Sequence, residues 1–378
     1  MDNVRIVSVR TSRDRRTFLT VPWRIYADDP LWVPPLLPER ERTINPVSGV
    51  FFHRGEAEFF IALKGGKAAG TICAARDDVQ NRSTGKAEAI FGFFECIDDD
   101  SVADALINHA RQWAVRRGLS TISGPFNLDY ENDYGVLIEG RDRPPVMLCG
   151  HSPPYYQRMF ETRGFTALRG DNTAYGLVID PESPPFRKAS RLAEHIRSQG
   201  RVTIRTPNMD RWDDEVGIVQ NLLNRSTSHL VDYRPWERDA LAELLEPFRQ
   251  LADPQLILFA EVAGTTVGWF PAVPDMNEVL IHLNGLRYPW DRLRAVPLRH
   301  FRPKNLTIKS VLLLPEFWRT GVAVLMIHEM ARRAYERGYR WVDLSLTSDD
   351  NPNTPRLAER MGARIYKRYR VYTQNLLP

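Results

Sequence analysis

The chain repeats itself at fixed offsets, and a duplication limits the folds open to it. EFFIALKGGKAAGTICA at 58–74 matches QLILFAEVAGTTVGWFPA at 255–272, placing Ala62 on Ala260, Gly66 on Gly264 and Gly70 on Gly268 at an offset of 198. VRIVSV at 4–9 matches VTIRTP at 202–207, and QRMFETRGF at 157–165 matches PRLAERMGA at 355–363, at the same offset. Between these anchors SVADALINHARQWAVRRG at 101–118 matches GVAVLMIHEMARRAYERG at 321–338 at an offset of 220. The second half therefore carries about 22 extra residues before this helix, and the first half about 22 after it.

A length of 378 residues suits two cores of ordinary size. The proline-rich DPESPPF at 180–186 reads as the junction, with a helix at about 186–199. The expected division is 1–179, a linker and connecting helix at 180–200, and 201–378. Each half reads as a strand, one or two helices, a glycine-containing hairpin, then strand, helix, strand, helix, strand. In the second half, helices are expected at about 210–224, 237–251, 321–337 and 354–361, with strands at about 307–314 and 341–346. The fold class is α/β: two tandem domains, each a mixed twisted sheet flanked by helices.

The most informative segment is SVLLLPEFWRTGVAVLMIHEMARRAYERG, 310–338. An apolar strand ends at Pro315, and a short loop enters a helix whose apolar face is Val322, Leu325, Met326 and Met330. Unpaired N–H groups at such a helix start, with the positive end of its dipole, make an anion site. Gly321 and the small Ala323 allow a phosphate close to the backbone, and Arg319 adds a charged donor.

Trp318-Arg319-Thr320-Gly321-Val322-Ala323 resembles the Gln/Arg-x-x-Gly-x-Gly/Ala loop that binds the CoA pyrophosphate in the GNAT (Gcn5-related N-acetyltransferase) superfamily. Trp318 stands where Gln or Arg is usual. Leu357-Ala358-Glu359-Arg360-Met361-Gly362-Ala363 resembles the family's Leu-Tyr-Glu-Lys-x-Gly-Phe helix, and Asn351 falls where the family has its Asn. The resemblance covers most of 255–372. It implies acetyl-CoA or another acyl-CoA as cosubstrate, the pantetheine lying along Val311, Leu312, Leu313 and Leu314 where two parallel strands splay. The Tyr with which many members protonate the thiolate is replaced by Ala358, leaving Tyr366 and Tyr369 as nearby phenols. Two-copy proteins with segments like Gly124-Pro125-Phe126-Asn127 and Tyr155-Tyr156 include bacterial ceramide synthase-type enzymes, which this chain resembles.

In the first half the 220 offset puts Asp98-Asp99-Asp100-Ser101 on the pyrophosphate loop. Three carboxylates repel an anion, and Asp with Ser makes a good N-cap instead. The first copy is therefore expected to be degenerate and cofactor-free. Its extra segment, 124–160, supplies the candidate acceptor-pocket residues Asn127, Tyr130, Glu131, Tyr134, His151, Tyr155 and Tyr156. For each, the alternative is a hydrogen-bonded structural loop.

Acyl transfer to an amine needs a base and charge stabilisation at the thioester oxygen. The candidate bases are Glu316, Asp343 and His282. Their structural alternatives are a favourable charge at a helix N-terminus, an ion pair and a core histidine. No G-x-S-x-G occurs. Cys73, Cys96 and Cys149 follow no metal spacing and read as reduced buried thiols. No metal is expected.

The net charge of +4, from 51 basic and 47 acidic residues, lacks the long basic stripe of a nucleic-acid binder. The N-terminus lacks a signal-peptide core, and no apolar run of about 18 residues occurs. A cytoplasmic protein without a transmembrane segment is expected, with peripheral membrane contact left open. The expected activity is transfer of an acetyl or longer acyl group from acyl-CoA to an amine acceptor of unspecified identity. The alternatives are long-chain acylation of a sphingoid-type lipid base and a non-catalytic acyl-CoA sensor. The sequence leaves the oligomeric state undefined.

Overall fold

The hairpins announced by the repeat form as two-residue turns with left-handed backbone. Gly65 and Gly66 have φ of 55° and 76°, and Ala263 and Gly264 have 50° and 78°. Two consecutive positive φ values match the right-handed twist of the flanking strands. The structure, a computed structural model, describes residues 4–128, 133–228, 235–298, 300–351 and 354–377.

The first half runs β1 (Arg5–Ser8), α1 (Ser12–Thr20), α2 (Pro22–Ile25), α3 (Leu37–Thr43), β2 (Gly55–Lys64), β3 (Lys67–Asp77) and α4 (Asp78–Thr84). It continues with β4 (Glu88–Cys96), α5 (Asp100–Val115), β5 (Thr121–Gly124), β6 (Val136–Glu139), α6 (Tyr155–Glu161), β7 (Thr166–Ala167) and β8 (Asn172–Val178). Helix α7 (Pro184–Ser198) joins the halves. The second half opens with β9 (Val202–Arg205), α8 (Trp212–Thr227), α9 (Arg238–Leu251), β10 (Ile257–Val262), β11 (Thr265–Pro274), α10 (Asn277–Leu280) and α11 (Asp291–Leu298). It closes with β12 (Asn305–Ile308), β13 (Leu312–Leu313), α12 (Val322–Glu336), β14 (Trp341–Ser348), α13 (Thr354–Arg360), β15 (Arg364–Arg370) and β16 (Tyr372–Asn375).

Two mixed sheets result. One has the order β1-β2-β3-β4-β5-β16-β7, the other β6-β15-β8-β14-β12-β11-β10-β9, with β13 also paired to β11. The sheets do not divide at residues 180–200. Strands β6 and β8 precede that segment yet lie in the second sheet, and β16, the last strand, lies in the first. The cause is a shared ribbon. Thr373 faces Thr166, Tyr369 faces Asn172 and Arg364 faces Gly176, so 166–178 and 364–375 run antiparallel through both sheets.

Helix α5 packs Val102, Leu106, Ala110 and Trp113 into the first core. Helix α12 packs Val322, Met326 and Met330 into the second, on the stripe its periodicity predicts, while Leu325 meets Ile196 of α7. The expected strand at 307–314 is broken. It forms as β12 and β13, separated by Lys309–Val311. The extra residues of the second half become the β11–β12 connection with α10 and α11, and those of the first half become the loop carrying β6.

Candidate active site at the splayed strands

Strand β12 pairs in parallel with β14 only as far as Thr307 and Asp343. Beyond this point the two strands diverge, β12 continuing towards β13 on β11 and β14 turning to β8. Ser345 sits in a break in the β14 ladder with φ of 68°, a strained backbone for a residue with a side chain.

The base of this splay is polar and buried. Asp343 has no exposed surface, and its carboxylate accepts from Thr307 Oγ1 at 2.9 Å, the Ser345 N–H at 3.1 Å and the Tyr366 hydroxyl at 2.9 Å. Lys309 Nζ lies 3.6 Å from the same carboxylate. Burial, and then the Asp343 charge, raise the Tyr366 phenol well above its usual range. Lys309 Nζ also lies 3.9 Å from Cys149 Sγ. Burial pushes that thiol up to about 12, so it carries little thiolate at neutral pH and is a poor nucleophile.

A cavity of about 230 Å³ opens from the splay. Thr307, Lys309, Ser310 and Ser345 form its polar wall beside Leu346, and Tyr134 and Leu148 reach it from the first half. The rest is mainly apolar: Trp212, Val216, Val219 and Leu223 of α8, Leu241, Leu244 and Leu245 of α9, and Ile257, Phe259, Trp269 and Val273 of the sheet. Glu215 also lines it, held by Arg205 at 2.8 Å and by the Asn208 N–H at 2.9 Å.

Near the splay, α12 begins at Gly321, whose φ is 85°. No side chain caps this helix, which leaves its first-turn N–H groups facing outward. The positive φ at Gly321 disfavours a side chain, and a Cβ there would stand 2.5 Å from Ile196 Cδ1, so the tip of Ile196 would have to move. Arg319 and Thr320 are exposed beside it. Val311 is exposed, whereas Leu312, Leu313 and Leu314 are buried. The Trp318 indole donates to the Leu313 carbonyl at 2.9 Å, folding back over the strand.

The equivalent splay in the first half is filled by its own chain. Strand β4 pairs with β5 only from Glu88 to Ile90. Past that point the Phe126 N–H donates to the Phe91 carbonyl at 2.7 Å, and Asn127 Oδ1 accepts the Phe93 N–H at 2.6 Å. The Tyr156 hydroxyl accepts the Cys96 N–H, and the Tyr155 hydroxyl donates to the Cys96 carbonyl, each at 2.8 Å. A Cβ on Gly92 would meet the Phe126 carbonyl oxygen at 1.8 Å. Helix α5 is capped by Asp99, itself paired with Lys64, while Arg158 and Arg163 pair with Asp100.

Of the candidate bases, only Asp343 lies at the splay. Glu316 is exposed and paired with Arg225 at 2.8 Å. His282 lies exposed in the turn after α10 rather than in a core. Asn351 is exposed in the turn after β14. Of the candidate acceptor residues, Tyr134 reaches the cavity, whereas Asn127, Tyr155 and Tyr156 serve the first-half splay. The His151 ring meets Asp29 at 2.7 Å and is buried, which lowers its basicity. Tyr130 and Glu131 lie outside the described residues. Tyr369 is fully buried and donates to the Gly150 carbonyl, a packing role.

Sequence reasoning missed Lys309, Thr307, Ser345 and Glu215. Lys309 carried one signal: it interrupts the apolar run 306–314 at the point where the strand breaks. The α8–α9 wall carried none beyond ordinary helical periodicity. Among the described residues, no group of three His, Cys, Asp or Glu could hold a metal ion. Among the same residues, no helix is long and apolar enough to cross a membrane.

Residues 219–363 match the acetyltransferase (GNAT) family. The chain is 29% identical to the bacterial ceramide synthase of Caulobacter vibrioides (strain NA1000 / CB15N), covering 98% of this chain and 97% of that one. It is also 29% identical to protein YghO of Escherichia coli (strain K12), with coverage of 96% and 93%. Its fold resembles that of a tandem GNAT protein from the clavulanic acid biosynthesis pathway, with a TM-score of 0.59 and 13% identity over 100% of this chain and 99% of that one. With two mixed sheets, each holding a splayed parallel pair, and likeness running through both halves, the chain has the tandem GNAT architecture, its residues 219–363 match the acetyltransferase family, and it is an acyltransferase.

Proposed function

We propose that this acyltransferase moves a long acyl chain from acyl-CoA to the amine of a lipid base. The observation that carries this reading is the apolar cavity under α8 and α9, which begins at the splay where a thioester would sit. An acetyl group has no use for a wall of Trp212, Val216, Val219, Leu223 and Trp269, whereas a hydrocarbon chain gains about 0.8 kcal/mol per buried CH₂. The likeness to a bacterial ceramide synthase across 98% of the chain supports the same class of acceptor.

In this reading the pyrophosphate rests on the uncapped start of α12 at Gly321, Val322 and Ala323, with Arg319 and Thr320 beside it. The pantetheine follows Val311–Leu314, displacing the Trp318 indole from the Leu313 carbonyl. The acceptor amine attacks the thioester carbonyl directly. A C–N bond forms, the C–S bond breaks, and the proton lost by the amine ends on the CoA thiol. Lys309 stabilises the oxygen on which charge develops, and Asp343, itself held by hydrogen bonds from Thr307 and Tyr366, pairs with Lys309 and positions it. The first-half splay takes no CoA, because its strand edge is already hydrogen-bonded to its own loop.

The test is CoA release with acetyl-, octanoyl- and palmitoyl-CoA, each against a sphingoid base and a short polyamine. The expected result is turnover of the long chain with the lipid base, and a preference for shorter chains in Val219→Trp, which fills the cavity. Equal use of acetyl-CoA and palmitoyl-CoA, unchanged in Val219→Trp, would sink the proposal.

A further inference from the structure

The connection between β11 and β12 is longer than its counterpart between β3 and β4, and it carries a surface the catalytic reading does not use. In and around α11, Trp290 is 60% exposed, Leu293 70% and Val296 55%. Spaced three residues apart, they share one helix face. Tyr288 stacks on Trp290 with ring centroids 4.8 Å apart, and Phe301 is exposed further along. Bulky apolar residues grouped this way on an outer helix mark a contact site rather than ordinary surface scatter.

Basic residues outnumber acidic ones in this connection, whose acids are Asp275, Glu278 and Asp291. Arg287, Arg292, Arg294, Arg302 and Lys304 belong to it. Asp291 and Glu278 are engaged by their own chain. Asp291 is fully buried and accepts from Asn284 Nδ2 at 3.1 Å and the Tyr288 N–H at 2.8 Å, with Arg294 3.2 Å away. Glu278 of α10 accepts the N–H groups of Lys304 and Asn305. The outer surface therefore presents arginines around exposed indole and aliphatic groups.

We propose that this α11 face docks the enzyme on an anionic lipid surface. Trp290, Leu293 and Val296 would enter the boundary between headgroups and acyl chains, and the arginines would sit at the phosphates. Charge complementarity selects this occupant: a neutral apolar partner would leave the arginines unmatched, and a nucleic acid would leave Leu293 and Val296 in water. The surface belongs to the second copy alone, because the first copy has only α4 and a short loop at this place. The inference is independent of which acyl chain or amine the enzyme uses.

Vesicle co-sedimentation tests it with the full-length protein. Phosphatidylcholine vesicles containing about a third phosphatidylglycerol should bind the wild type, pure phosphatidylcholine should bind it weakly, and about 0.5 M salt should release it. The double variant Trp290→Ala/Leu293→Ser should bind about tenfold less, with an unchanged melting temperature and unchanged CoA affinity. Arg292→Glu should lose the preference for anionic vesicles. A wild type that stays in the supernatant with anionic vesicles overturns the proposal. So does a double variant that binds as well as wild type. If the wild type is a dimer that the double variant dissociates, a second copy covers the face and the proposal also falls.

Discussion

At the residue scale, the two splays show how a few side chains decide whether a strand edge is available. In the first half, Asn127, Tyr155 and Tyr156 satisfy the β4 edge. In the second, the start of α12 is uncapped and Gly321 keeps it open. Gly321→Glu should therefore abolish CoA binding, measured by calorimetry, because it adds strain, a clash with Ile196 and a negative charge at an anion site. Lys309→Met should lower kcat about a hundredfold with little change in KM, as expected for loss of charge stabilisation at a transition state, and Lys309→Arg should recover part of it. Glu95 offers a prediction about stability. Burial raises its carboxyl to about 8, against opposing hydrogen bonds from Tyr156 and Tyr26. The folded state then holds a proton that the unfolded chain releases near the ordinary carboxyl value of 4.5. This contribution is complete below the lower value and is lost as pH rises through the upper one. Glu95→Gln should flatten the fall in melting temperature between about pH 4.5 and about pH 8; an unchanged slope would show that Glu95 does not dominate it. Asp343 and the Gly321 loop stood out in the sequence as candidates because a carboxylate inside a strand and a glycine at a helix start are local signals. Glu316 reads as a base from its place before the loop and His282 from its residue type, and neither tells which way a side chain faces.

At the element scale, the matched helices α5 and α12 have opposite N-termini. Asp99 caps α5 and is held down to about 2, chiefly by its hydrogen bonds with Lys64 and Ser101. Asp99→Gly should therefore leave turnover intact while lowering stability by a few tenths of a kcal/mol from the lost cap, somewhat more through Lys64. Loss of activity in that variant would mean the first copy takes part in the reaction. The element pattern itself was well foreshadowed. Helices expected at about 237–251 and 321–337 form at Arg238–Leu251 and Val322–Glu336, since long amphipathic periods are hard to mistake. The expected strand at 307–314 missed its break. An apolar run shows burial, but not the point at which it changes partner from β14 to β11.

At the scale of the whole molecule, the ribbon of 166–178 and 364–375 ties the sheets together. Removing either half would strip the other of strands: the second sheet would lose β8 from between β14 and β15, and the first would lose β16 from between β5 and β7. Residues 201–378 alone should therefore aggregate through open edges, whereas the full chain should unfold in one calorimetric transition. Two separate transitions would show that each half holds its own stability. What the sequence determined by itself was the duplication, the α/β class, the hairpins and the helix start after Gly321, because each is encoded in short-range spacing. What only the tertiary structure decided was the exchange of strands, the closing of the first splay and the apolar cavity under α8 and α9. Those depend on which buried face meets which, and a two-residue or 3.6-residue period shows that a face is buried without naming its neighbour.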